Sequence, residues 1–330
     1  MQQVVIGLDS SCYTTSIAAV SLTGEVIADW RRMLAVGAGA IGLRQQEALF
    51  QHWRNFPELF QKVRSIPSLK PIAISYSNRP TDQPDSYLPV FTAGASLAQS
   101  ISALLGIPSL PFTHQEGHIA AGLFGAKGPC VDSFLAVHLS GGTSELLHVR
   151  KKTGGFQISV LGKTLDLNAG QFVDRVGVSL GLPFPAGPHL EKLALADPKT
   201  DVLSIPSYTK GYNVSFSGPT AAALRLVSAN ADRTAIAQAV FRCIANSLEK
   251  VLRPAVKQLG INGILFVGGV AANMIIRERL IDRLEHPAVG ASLFFAPSNL
   301  SPDNAVGTAW LGLVTMRGDN LWPIYDRCQH

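Results

Sequence analysis

Val4-Val5-Ile6-Gly7-Leu8-Asp9-Ser10-Ser11, answered by the return run Ser16-Ile17-Ala18-Ala19-Val20, is the stretch whose reading decides the fold. Two apolar runs of strand length flank a small, hydroxyl-bearing turn, which predicts a β-hairpin. A Thr23-Gly24 turn then feeds a third strand at Val26-Ile27-Ala28. The same arrangement returns about 130 residues later. Phe134 to Leu139 meets Ser140-Gly141-Gly142-Thr143-Ser144, Glu145 to Val149 comes back, and Thr153-Gly154-Gly155 leads on to Phe156 through Val160. One supersecondary unit used twice points to a duplicated α/β fold. Hydroxyls and glycine amides at both tips suit oxyanions such as phosphates.

Around the hairpins the apolar spacing turns helical. Leu43 to Val63 carries Leu49, Trp53, Phe56 and Phe60, with Pro57 expected to break the helix. Pro71 to Tyr76 reads as a short strand, Asn78 to Pro89 as a proline-rich loop, and Ala93 to Leu105 as a helix closed by Gly106. In the second half, Leu165 to Leu180 and Pro188 to Ala196 read as short helices and Val202 to Gly218 as a polar excursion. Thr234 to Leu259 is the strongest helix, aligning Ile236, Val240, Ile244, Leu248, Val251 and Leu252. A buried strand at Gly263 to Val267 turns at Gly268-Gly269 into a helix bearing Ile275, Ile276, Leu280 and Leu284. Leu293 to Phe295 is a last strand, and Ser301 is expected to cap a terminal helix through Leu313. Strands mixed with crossover helices place ligands in the crevice where two halves meet.

The bulk properties agree. The 330 residues favour two domains, and 47% apolar against 15% charged residues leave little room for disorder. No apolar run approaches a membrane span, and Met1-Gln2-Gln3 has no basic character, which predicts neither a membrane segment nor a secretory signal. Four scattered cysteines, Cys12, Cys130, Cys243 and Cys328, fit reduced thiols in the cytoplasm. A net charge of +5 permits a polyanionic partner, although no basic block exceeds Arg150-Lys151-Lys152.

Thr113-His114-Gln115-Glu116-Gly117-His118 is the sharpest local signal. Thr113 and Glu116 have the form of a capping box, so a helix starts here and presents His114 and His118 on one face. That spacing lets two imidazoles reach one metal; it also suits two surface histidines on a first turn. A zinc protease would need glutamate directly after the first histidine, and the cap already accounts for Glu116. Two histidines require a carboxylate from elsewhere. Asp303 stands at the start of the last helix, where aspartate commonly complements the dipole. The glycine turn Gly268-Gly269-Val270-Ala271-Ala272-Asn273 allows a ligand close to backbone, and Asn273 offers a hydrogen bond to a ribose or base. Asp166, Asp174 and Glu191 are the carboxylates around the second-half helices. Nothing matches a Walker-type loop.

Together these motifs resemble the actin-like ATPase superfamily, and within it the threonylcarbamoyladenosine synthases of the TsaD type. The likeness is carried, in order, by His114-x-Glu116-Gly117-His118, Leu139-Ser140-Gly141-Gly142, Ala169-Gly170-Gln171-Phe172-Val173-Asp174, Phe184-Pro185-Ala186-Gly187-Pro188, Ser215-Phe216-Ser217-Gly218 and Asp303-Asn304. It implies a duplicated actin-like (ASKHA) fold of two α/β domains with mixed central sheets. Residues 1–108 with 304–330 would form the first, and 109–303 the second, carrying the metal and nucleotide motifs. His114, His118 and Asp303 would match the family's metal triad, which takes one iron or zinc per subunit, with magnesium a further option. Asp9, Ser10, Ser11, Leu139, Ser140, Gly141, Gly142, Thr143, Asp174, Gly187, Glu191, Ser217, Gly268, Gly269 and Asn273 would hold ATP or an adenylate.

The resemblance further implies transfer of a threonylcarbamoyl group from its adenylate to N6 of adenosine-37 in tRNA, in the cytoplasm. A TsaB-like inactive relative or a second copy would be the dimer partner. The chain departs from the pattern at several points. The family's Glu-Thr-Ser-Cys-Asp-Glu-Thr hairpin reads Asp9-Ser10-Ser11-Cys12-Tyr13-Thr14-Thr15, and the histidine after Ser-Gly-Gly is Thr143. The glutamate of Ala-Gly-Glu is Gln171, and Ser77-Asn78-Arg79-Pro80 to Tyr87 replaces a Gly-Pro-Gly loop. Ser217-Gly218-Pro219-Thr220 lacks the family's lysine. These departures support a second expectation: a divergent paralogue that binds nucleotide and metal but uses another acceptor or serves as a non-catalytic partner.

Overall fold

The computed structural model describes residues 1–11, 13–37, 43–83, 85–197 and 203–318. Cys12, Cys328 and the terminal stretch 319–330 expected in the first domain lie outside the described residues.

Alternation along β1 (Gln2–Asp9) divides its side chains between two layers. Val4, Ile6 and Leu8 join Ile17 and Ala19 of β2 (Thr14–Ser21) in one core. That core is filled by Phe56 and Leu59 of α1 (Gln45–Arg64) and by Ala93 and Ala98 of α2 (Phe91–Leu105). Val5 and Gly7 face the other layer, formed by α9 (Val306–Arg317), where a Cβ on Gly312 would meet Val5 and a Cβ on Gly7 would meet Ala305 and Ala309. Asp9 shares the parity of Val5 and Gly7, so the pleat aims it toward this second layer.

The first sheet runs β3 (Val26–Met33), β2, β1, β4 (Leu69–Arg79), β5 (Ser109–Thr113). Its first three strands form an antiparallel meander, and β4 and β5 add on in parallel. The second sheet runs β12 (Ser292–Phe295), β11 (Gly263–Val267), β6 (Ser133–Leu139), β7 (Ser144–Lys152), β8 (Gly155–Lys163). Read from the β8 edge it repeats the order of the first, with β11 parallel to both β6 and β12. The duplication expected from the two hairpins therefore extends to the whole sheet. In the second unit α7 (Arg233–Leu259) buries Ile236, Val240, Ile244, Leu248, Val251 and Leu252 against Leu135, Val137 and Leu139 of β6.

Two compact units result. The first comprises Met1–Cys130, Arg150–Gln157 and the described residues from Asn299 onward; the second comprises Val131–Val149 and Ile158–Ser298. The first unit thus extends past residue 108, where the sequence analysis drew the division. Parallel pairing of β5 with β4 and packing of α3 (His114–Gly125) on α9 hold residues 109–125 in it.

Other differences have local causes. Pro57 lies within α1 without ending it: it sits on the exposed side while its neighbours Phe56 and Leu59 are buried. The excursion before Gly218 contains a short antiparallel pair, β9 (Tyr208–Lys210) and β10 (Asn213–Ser215), and leads into α6 (Ser217–Ser228), an unforeseen helix. Cys243 is a free, buried thiol. No described helix is long and apolar enough to cross a membrane.

Candidate metal centre

The capping box forms as its residues dictate. Glu116 N–H donates to Thr113 Oγ1 at 3.1 Å, and Glu116 Oε2 accepts from Thr113 N–H at 2.9 Å. Glu116 is thereby used in starting α3, and His114 and His118 fall one turn apart with ring centres at 4.4 Å. Asp303 arrives from the loop ahead of α9. α9 begins at Val306, beyond Ser301, which was expected to cap it, and Asn304 fixes the loop: its Nδ2 donates to the carbonyls of Leu300 and Pro302, both at 2.9 Å. Its Oδ1 accepts from Val306 and Gly307 N–H at 3.1 and 3.3 Å, which caps α9.

Glycines bring the two helices together. A Cβ at Gly307 would lie 1.9 Å from the carbonyl oxygen of Gly117, and a Cβ at Gly117 would lie 3.0 Å from Thr308 Oγ1. Only bare backbone permits this approach. It sets Asp303 Oδ1 at 3.3 Å from His118 Nε2 and 3.5 Å from His114 Nε2. One ligand atom from each of His114, His118 and Asp303 lies within 4.8 Å of the others.

Asp9 completes the arrangement from behind. Its Oδ1 lies 3.2 Å from His114 Nδ1, which orients the ring so that Nε2 faces His118 and Asp303. Ser11 Oγ donates to its other oxygen. A carboxylate behind a ligating imidazole holds tautomer and orientation. Asp9 is fully buried and the His118 side chain 2% exposed, so access is from the side of His114 and Asp303, at 13% and 21%.

The charges are strongly coupled. Burial opposes a proton on His114, but the carboxylates of Asp9 and Asp303 outweigh it and raise His114 to about 10. Burial, and then the charge on His114, lower His118, so the pair takes one proton in the metal-free protein. Asp303 is held below the ordinary range: burial works against this, and its bonds to both histidines prevail. Two imidazole nitrogens and one carboxylate, with an open side and an ordered outer carboxylate, fit a divalent metal of the zinc or iron type.

The remaining expected site residues are distributed as follows. Ser10 Oγ donates to the carbonyl of Val90 and accepts from Gly94 N–H, which ties β1 to α2. In the second unit Ser140 Oγ accepts from Gly142 and Thr143 N–H, while Cβ atoms at Gly141 and Gly142 would meet nothing within 4 Å. Gly268, at φ +94°, lies against the carbonyl of Leu139, which accepts from Val270 N–H at 3.1 Å. The Leu139–Thr143 tip and the Gly268–Asn273 turn are therefore one cradle. Asn273 caps α8 (Met274–Leu284) through Ile276 N–H, and its buried Nδ2 has no partner among the described residues.

Three residues expected to contact ligand have protein partners, two of them backbone amides and one a carboxylate. Asp174 accepts from Ala186 N–H at 2.7 Å, just before Gly187 opens α5 (Gly187–Ala194). Glu191 accepts from Met274 N–H at 2.7 Å, which joins α5 to α8. Ser217 Oγ donates to Asp166, a carboxylate that also takes the Ser215 hydroxyl and Phe216 N–H. The clamp at Asp166 had no counterpart in the motif reading, because its partners lie about fifty residues away in the sequence.

The chain is similar to known proteins over most of its length. The family model for tRNA N6-adenosine threonylcarbamoyltransferase (TsaD) matches residues 81–310. A protein of that name from Thermotoga neapolitana is 30% identical, covering 97% of both chains. One from Bordetella petrii is 31% identical over 93% of this chain and 89% of its own. Among solved structures, component A of the (R)-2-hydroxyglutaryl-CoA dehydratase of Acidaminococcus fermentans superposes with a TM-score of 0.55 at 16% identity, over 96% of this chain and 99% of its own. Full-length HypF in its phosphate- and nucleotide-bound form gives 0.59 at 13% identity, over 96% of this chain and 46% of its own. These likenesses place the two α/β units in the actin-like ATPase fold. The chain belongs to the tRNA N6-adenosine threonylcarbamoyltransferase family, a family of transferases.

Proposed function

We propose that the chain transfers a threonylcarbamoyl group from threonylcarbamoyl-adenylate to N6 of adenosine-37 in tRNA. The N6 amine attacks the carbamoyl carbon, a C–N bond forms, the bond from that carbon to the phosphate oxygen breaks, and AMP leaves with loss of one N6 proton. The observation that carries the reading is the convergence of His114, His118 and Asp303 behind which Asp9 stands. These three residues would hold one divalent metal, iron or zinc, which when bound stabilises negative charge on phosphate oxygens. Asp9 fixes the His114 ring. The glycines of the Ser140–Thr143 tip and of the Gly268–Asn273 turn leave room for a nucleotide against backbone, and Asn273 Nδ2 offers it a donor.

The same proposal gives the protein a cytoplasmic setting among tRNA substrates, and a protein partner. Phe50 and Trp53 on α1 and Leu104 and Leu105 on α2 are exposed apolar side chains. A TsaB-like inactive relative or a second copy would cover them.

Purified protein incubated with threonylcarbamoyl-adenylate and unmodified tRNA tests the reading, with N6-threonylcarbamoyladenosine quantified by mass spectrometry. Wild type is expected to form it and His118→Ala to lose both the product and the metal. A specific observation favours the second reading. Gln171 Oε1, where the family has glutamate, accepts from Asn168 N–H at 3.0 Å as a helix cap. A wild type that binds metal and adenine nucleotide but leaves tRNA unmodified would establish that divergent role instead.

A further inference from the structure

β4 does not end as a regular strand. Its ladder with β5 pairs Ser75 with Leu110, Tyr76 with Pro111 and Ser77 with Phe112, then passes to Arg79 with Thr113, leaving Asn78 bulged. Bulges bend a strand, re-aim its side chains and recur beside functional sites. The skip sets Arg79 against Thr113, the residue before His114, and Pro80 accepts from Gln115 N–H at 3.0 Å. The strand end is thus stitched to the helical turn that begins the metal cluster. It is also the carboxyl end of a parallel strand, where open α/β sheets bind ligands.

Two atoms here are closed off from solvent and lack a hydrogen-bond partner among the described residues: Asn78 Oδ1 and Arg79 Nε. Unsatisfied buried polar atoms are costly and call for a partner. An acceptor and a cationic donor on consecutive residues match a ligand that carries an N–H next to a carboxylate. Among the described residues the far end of the guanidinium is paired with Asp82, whose side chain is 72% exposed, a contact weakened by solvent.

We propose that Asn78 and Arg79 recognise the amino-acid portion of the transferred acyl group, Arg79 its carboxylate and Asn78 its carbamoyl N–H. The inference rests on the transfer reaction proposed above. It assigns substrate selection to the segment that replaces a Gly-Pro-Gly loop of the family.

Calorimetry on the metal-loaded full chain tests it with three ligands: a non-hydrolysable threonylcarbamoyl-adenylate analogue, the carbamoyl-adenylate analogue without the amino acid, and AMP. Arg79→Gln is expected to weaken the first by about tenfold to a hundredfold, as for loss of a charged hydrogen bond, and Asn78→Ala by about fivefold to tenfold. AMP should bind both variants as it binds wild type, and the carbamoyl-adenylate analogue should bind Arg79→Gln as wild type but Asn78→Ala more weakly, because it keeps the carbamoyl N–H and lacks the carboxylate. Equal weakening of all three would mean that Arg79 reads the phosphate, and no weakening would mean that it reads nothing; either overturns the inference. A wild type that binds none of the three would instead remove the transferase reading beneath it. Should Arg79→Gln fail to fold, the exposed Asp82→Asn carries the test: freeing Arg79 should tighten the first ligand alone, and unchanged affinity overturns the proposal.

Discussion

Replacing Gly307 with alanine should dismantle the His114–His118–Asp303 cluster without altering any of its members. The added Cβ would sit 1.9 Å from the Gly117 carbonyl oxygen and 2.8 Å from the Ala121 nitrogen. Both are backbone atoms of α3, so no side chain can rotate out of the way. Ordinary contact begins at 3.4 Å, so α3 and α9 must separate by about 1.5 Å. Gly117 lies between His114 and His118, and Asp303 lies just ahead of α9, which passes the displacement to the cluster. The 3.3 and 3.5 Å separations from Asp303 to the two imidazoles would grow by a comparable amount. Metal coordination tolerates only about 0.2 Å. Overpacking of this kind costs about 1–3 kcal/mol, which lowers Tm by roughly 2–4 °C per kcal/mol in a protein of this size. Metal per chain after dialysis, a competitive chelator titration and a thermal melt together read the outcome. Gly307→Ala is expected to keep its circular dichroism, melt earlier and bind metal at least about tenfold more weakly, in the range seen when a ligand's support is lost. A variant with wild-type metal affinity would refute the claim that this glycine contact sets the cluster.

Three further outcomes follow from the same geometry. Asp9→Asn removes the carboxylate behind His114 and should weaken metal binding about 10- to 100-fold in a chelator titration; an unchanged constant would show that the contact does not orient the ring. Metal uptake should release about one proton near neutral pH, because His114, raised to about 10, is protonated in the metal-free protein and must give up that proton to ligate. Affinity therefore rises with pH toward that value, and calorimetry in buffers of different ionisation enthalpy should detect the release. Asp166 is held below its ordinary value: burial opposes this, but the Ser215 and Ser217 hydroxyls and the Phe216 and Leu167 amides prevail. Its folded value lies below its unfolded one, so its contribution is present above about pH 4 and lost as the medium becomes more acidic. Asp166→Asn should cost about 0.5–1 kcal/mol at neutral pH, a figure discounted for its exposure, and the difference from wild type should close in acid unfolding below that point.

What the sequence settled by itself was local or repeated. The two hairpins are legible because strand alternation and turn chemistry act over a few residues, and their repetition implied the second sheet. The start of α3 is equally local, since Thr113 and Glu116 satisfy each other's backbone within one turn and so place His114 and His118 on one face. Only the tertiary structure could join Asp303 to His118, 185 residues apart, because that contact depends on the bare backbones of Gly117 and Gly307 meeting. The pleat of β1, once α9 is known to cover its odd-numbered face, turned Asp9 from an expected phosphate contact into the partner of His114. Asp174, Glu191 and Ser217 show the converse. As sequence they are polar residues near turns, and the fold supplies them with partners in remote backbone amides and the Asp166 carboxylate. A polar side chain takes whichever partner the fold brings within reach, and only folding brings together groups that lie far apart along the chain.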